Sequence, residues 1–104
     1  MFINLTPHEV KIIQKDKVIC IPPSGIVARC KQEERPAGEV EGVRVVKLSM
    51  GELVNLPPER AGVIYIVSHI VLQQAAKRKD LLKPGELVRN EEGEIIGCQS
   101  LCCL

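Results

Sequence analysis

Ser68 stands at the seam between an apolar, β-branched run, AGVIYIVS, and a segment of helical spacing, HIVLQQAAKRKDLL. A hydroxyl there caps a helix, and first-turn amides at the positive end of the helix dipole make a place for an anion. Helix capping alone would equally explain the serine. Thr6, Pro7 and His8 form a second polar group, in which Pro7 restrains a loop carrying a hydroxyl beside an imidazole that could donate to a phosphate or carboxylate. Their alternative role is to tie down the amino-terminal segment through backbone hydrogen bonds.

Three arginines extend this set. Arg29 and Arg89 interrupt strand-like runs, and Arg78 lies at the basic end of the helical segment, two residues before Asp80. A guanidinium matches phosphate oxygens in bidentate fashion, whereas each of these arginines could instead make a surface ion pair, with Asp80 the local partner of Arg78. Tyr65, one of two aromatic residues beside Phe2, is the one close enough in sequence to Ser68 to stack on a base. The expected site is therefore Thr6, His8, Arg29, Tyr65, Ser68, Arg78 and Arg89 around a small, anionic, nucleotide-like ligand, bound without catalysis.

Enzymatic readings lack their residues. No Gly-rich loop precedes Ser68, as a P-loop or dinucleotide fold requires. The eleven glutamates are scattered, Asp16 and Asp80 are the only aspartates, and no serine or cysteine has a nucleophile elbow or an evident base. Cys98, Cys102 and Cys103 lack a paired C-x-x-C knuckle, and with only His8 and His69 to assist them they read as ordinary thiols rather than a zinc site. No cofactor or metal is expected.

A net charge of +1 gives no field to hold a nucleic-acid polymer, and two aromatic residues offer no stacking platforms for one. MFINLTPHEV has neither a basic n-region nor a long apolar run, and no window suits a membrane helix, so a cytoplasmic protein is expected. Five cysteines fit reduced thiols in that compartment.

The elements that must position these groups follow from patterning. EVKIIQ and KVICI read as a hairpin around Lys15 and Asp16, and Pro22 and Pro23 end its second strand. A strand follows over about 26–31. The charged, Gly- and Pro-containing QEERPAGEVEG reads as an exposed loop or hairpin tip, and VRVVKLS and ELVNL as separate short strands. AGVIYIVS suits a strand buried on both faces. One amphipathic helix is expected near 69–82, with Lys77, Arg78, Lys79 and Lys83 at its basic end, and then a hairpin turning at Gly93. The apolar LCCL tail must dock on the body or on another chain.

Taken together, Asn4 to His8, then Pro23, Ser24, Gly25, Ala28 and Arg29, then Tyr65 to Ser68, and finally Arg78, Asp80, Leu81 and Pro84 resemble a group of small phage and prophage proteins. These open with a similar NLTPH segment and carry a YIVS-type strand. The resemblance spans most of the chain and brings no defined activity. It implies a phage-type accessory protein, a class often made of binders that block a host enzyme or sequester a host nucleotide signal.

The chain is thus expected to be one α+β domain over residues 1–104, with a mainly antiparallel, curled sheet or partly open barrel. Its expected core is Ile12, Ile21, Val45, Ile64, Ile66, Val71 and Ile96. Short edge strands and the apolar tail predict a homo-oligomer. The rival functions to ligand binding are a protein-interaction module that grips a host protein and a structural virion accessory protein.

Overall fold

The computed structural model describes residues 1–104. Along the chain run β1 (Phe2–Asn4), β2 (Val10–Ile13), β3 (Val18–Ile21), β4 (Arg29–Val40), β5 (Val43–Val54) and β6 (Ile64–Ile66). The helix α1 (His69–Gln74) follows, then β7 (Leu81–Pro84), β8 (Leu87–Arg89), β9 (Ile95–Cys98) and β10 (Leu101–Cys102). The architecture is α+β, mostly strand with one short helix, and the sheets are not closed into a barrel.

One four-stranded sheet has the order β1-β6-β7-β10 and another the order β3-β2-β9-β8, while β4 and β5 form a separate two-stranded ribbon. Pairing is mainly antiparallel, in four of the seven strand pairs, but β1 with β6, β6 with β7, and β2 with β9 are parallel, a mixture that patterning did not anticipate. β6 is flanked by parallel partners on both sides, which explains its unbroken apolar sequence.

That strand divides the interior. Side chains alternate across a strand, so Tyr65 and Val67 enter one core with Leu5, Val71, Leu72 and Leu81, whereas Ile66 enters a second core with Val10, Ile12, Ile21 and Cys98. Ile12, Ile21, Ile66 and Val71 are buried as expected, and Ile64 is half-buried. Val45 belongs to the β4–β5 ribbon and contributes to neither core. Ile96 is 42% exposed, being the residue skipped where the β8–β9 register shifts between the pairs Val88–Gly97 and Arg89–Ile95.

The helix is shorter than its sequence pattern. It ends at Gln74, and residues 75–80 turn back so that Leu81 and Leu82 pair with Tyr65 and Ile66. Strand pairing and burial of Leu81 outweigh the helix propensity of AAKRK. Lys77, Arg78, Lys79 and Lys83 therefore lie beyond the helix, with no basic residue in its last turn.

The largest departure is the ribbon. The charged stretch expected to be a loop or tip is mostly strand β4, and the two short strands expected after it are one continuous β5. Only Glu41 and Gly42 form the tip, with φ of 48° and 81°, the pair of positive values that a two-residue type I′ turn demands. Each strand has twelve residues, hence a length of about 35–40 Å. The ribbon makes the molecule 54 × 40 × 24 Å, with a radius of gyration of 16.8 Å; a compact chain of this length would have about 13 Å.

Candidate functional site

Asn4 organises the amino-terminal turn. It is 1% exposed and ends β1. Its Nδ2 donates to the carbonyls of His8 at 2.8 Å and Ile21 at 3.1 Å, while its Oδ1 accepts from the Thr6 amide at 2.9 Å and lies 2.6 Å from the Thr6 hydroxyl. A buried amide with all its capacity used holds the Thr6–His8 loop against the body. Here Thr6 and the His8 carbonyl serve as ties; the His8 side chain is exposed.

The PPSG segment joins the same structure. The Ser24 amide donates to the Asn4 carbonyl at 3.0 Å, Ala28 donates to that of Leu5 at 3.0 Å, and Leu5 donates to Ile66 at 2.8 Å. The chain thus brings residues 4–8, 23–29 and 65–68 together. Between them lies an open recess of about 300 Å³, whose lining includes Thr6, Pro7, Arg29, Cys30, Ser68 and Ile70. Ser68 caps α1, its Oγ accepting from the Val71 amide at 3.4 Å. Arg29, at the root of the ribbon, makes no salt bridge. Three of the seven expected ligand residues, Thr6, Arg29 and Ser68, therefore share one recess.

The other four do not join them. Tyr65 is 1% exposed, and its hydroxyl donates to the Pro58 carbonyl at 3.3 Å, so its ring cannot stack on a bound base. Arg78 is committed elsewhere: Nε and Nη2 hold the two Asp80 oxygens at 2.9 and 2.6 Å, and Nη1 donates to the Pro57 carbonyl at 2.7 Å. Its guanidinium lies 5.9 Å from the centre of the Tyr65 ring, a cation–π contact. The two-sided hydrogen bonding raises the Arg78 pKa and lowers that of Asp80 below the usual carboxylate value. Arg89 clamps its own hairpin, with Nη1 donating to the Gly93 carbonyl at 2.8 Å. His8 is absent from the recess lining. Of the three arginines offered for the clamp, only Arg29 lines the recess, and Tyr65 is buried rather than open to a base.

No protein-family model, curated protein or solved structure matches this chain.

The cysteines form no disulfide, and no three His, Cys, Asp or Glu side chains converge as metal ligands. No helix is long and apolar enough to cross a membrane. The apolar tail is partly accounted for: Leu101 and Cys102 pair with Pro84 and Lys83 of β7, which removes one motive for self-association.

The feature that patterning did not deliver is the ribbon surface. Facing residues of an antiparallel pair share a side, so Val46, Leu48 and Met50 of β5 lie on one face with Pro36, Glu34 and Gln32 of β4 opposite them. Leu48 is 52% and Met50 40% exposed. Near the tip Val40 and Val43 extend apolar surface on the other face. The alternation V-x-L-x-M was visible in the sequence, but only a paired and protruding strand makes it a surface.

Proposed function

We propose that the protein is a non-enzymatic interaction module, a phage-type accessory protein that engages another protein chain through its β4–β5 arm. The observation that carries this reading is the arm itself: twelve-residue strands, neither edge paired with a further strand, and exposed Leu48 and Met50 on one face. Two-stranded ribbons are marginal in water, and a third strand or a covering surface is what normally stabilises them. Exposed strand edges are also what proteins use to add a strand from a partner. A photo-crosslinking residue placed at Leu48 in cells should yield a covalent adduct with a protein chain. The same residue at Lys15, in the β2–β3 turn, should not. Absence of any adduct from Leu48 would count against the reading.

A second reading has its own support in the recess shared by Thr6, Arg29 and Ser68. There a small anion, nucleotide-like in its phosphate, would be bound or sequestered by the Arg29 guanidinium and the Ser68 hydroxyl, while Thr6, whose proton is given to Asn4 and His8, shapes the wall. The recess is at the lower end of ligand-pocket sizes, which favours a phosphate group over a whole nucleotide as the recognised part. A thermal-shift panel of inorganic phosphate and mono-, di- and cyclic nucleotides tests it. No shift from any of them would remove it.

A further inference from the structure

We infer that the β5 edge of the arm pairs antiparallel with the β5 edge of a second copy of this chain, about a two-fold axis at Leu48. This rests on the arm being an interaction surface and adds the identity of its partner. The two edges of the arm differ. β4 contains Pro36, which has no amide hydrogen to give, and its register slips between Pro36 and Gly38, leaving Ala37 unopposed. Prolines and bulges are what keep an edge from being extended. From Val43 to Met50, β5 has no proline, no glycine and no inserted residue, and its irregularity comes only beyond Met50.

Symmetry then selects the arrangement. Identical antiparallel edges related by a two-fold axis need that axis perpendicular to the sheet, which leaves each face on its own side. Opposed residues share a face, so the register must centre on a residue rather than between two. Centred on Leu48, the strand places Leu48 against the second copy's Leu48 and Val46 against its Met50, with Lys47 meeting Ser49 on the other face. Centring on Lys47 sets two like charges face to face, and centring on Val46 sets Leu48 against Arg44.

The Leu48 register merges the two apolar stripes into one face of a four-stranded sheet, above the three strands at which such sheets become stable. Between residues 29 and 54 five basic side chains balance five glutamates, so two arms meet without net repulsion, whereas a highly charged partner would find no complementary field.

Sedimentation of the purified full chain at micromolar concentration should give a dimer. Leu48→Lys, which puts two ammonium groups at the axis, should weaken the dimer by more than tenfold. Tyr65 fluorescence, the only such signal in this Trp-free chain, should stay shielded from quencher and so report an intact core. Leu48→Cys should form an intermolecular disulfide through position 48 under mild oxidation, and Val43→Cys, on the opposite face and away from the axis, should not. A monomeric wild type with no 48–48 disulfide overturns the inference. If a photo-crosslinker at Leu48 then still captures a different protein, only the second copy is excluded. If it captures nothing, the interaction reading falls as well.

Discussion

Asn4 and Thr6 are joined twice: the Thr6 amide donates to Asn4 Oδ1 at 2.9 Å, and the Thr6 hydroxyl lies 2.6 Å from the same oxygen. That hydroxyl also lies 3.0 Å from the His8 carbonyl, so one proton is shared between two acceptors inside a closed turn. Because Asn4 Nδ2 reaches across to Ile21, the same amide fastens β1 to β3.

Asn4→Ala should therefore cost about 2–4 kcal/mol, since it removes one buried amide and strands several partners at once. Thr6→Val, which removes only the hydroxyl, should cost about 0.5–1.5 kcal/mol. The urea midpoint of each variant, at unchanged slope, measures these values. Equal and negligible losses would show that the turn is held by something other than Asn4.

The Arg78–Asp80 pair makes a pH prediction. The folded Asp80 pKa is depressed by its hydrogen bonds to Arg78, so the pair's contribution is fully present above the unfolded carboxylate value and is lost as pH falls through the lower folded one. Arg78 stays charged throughout, its pKa being raised. With side chains only 20% and 12% exposed, the pair is shielded from full solvent screening. Asp80→Asn should thus be less stable than wild type by about 1–3 kcal/mol at pH 7, with the gap closing below about pH 4. Denaturation midpoints across pH 2–7 check this, and a gap that widened toward acid would contradict it.

Gly97 permits the close crossing of β9 and β2. A Cβ there would stand 2.7 Å from the Lys11 carbonyl oxygen and 2.9 Å from Ile13 Cδ1. The obstructing atom is backbone, so Gly97→Ala should destabilise by about 1–3 kcal/mol, read from thermal unfolding. An unchanged midpoint would mean that β9 is free to shift.

For the ligand reading, a nucleotide or phosphate at a hundred times its dissociation constant should add about 2.7 kcal/mol of stability. Arg29→Ala should weaken that binding at least about tenfold, a change of about 1.4 kcal/mol. Arg89→Ala should leave it unchanged, because Arg89 is tied to Gly93 in another hairpin. Equal effects of the two substitutions on affinity would remove the recess as the site.

Much of this fold was legible where period and punctuation agreed. The β2–β3 hairpin around Lys15 and Asp16, the doubly flanked β6, Ser68 as the helix cap and the Gly93 turn all follow from short-range chemistry. Where long-range pairing decides the outcome, local pattern misled. KRKDLL has helix formers, yet Leu81 and Leu82 gain more by joining β6. RPAGEV looks like a loop, yet its partner is the strongly β-prone VRVVKLS across a two-residue turn.

The candidate site divided in the same way. Thr6, Arg29 and Ser68 come together because three sequence segments converge on β1 and β6. Tyr65 and Arg78, by contrast, are consumed by the core and by Asp80. Proximity in sequence placed Tyr65 beside Ser68, but strand alternation turned its ring inward.

Photo-crosslinking scanned along β5, one position at a time from Val45 to Met50, tests the arm most directly. Edge pairing about Leu48 gives each of these positions a cross-strand neighbour in the partner, so adducts are expected from both faces of β5 over this stretch and none from Lys15 in the β2–β3 turn. No adduct at any of the six positions, or labelling no stronger than at Lys15, would contradict the arm as a recognition surface.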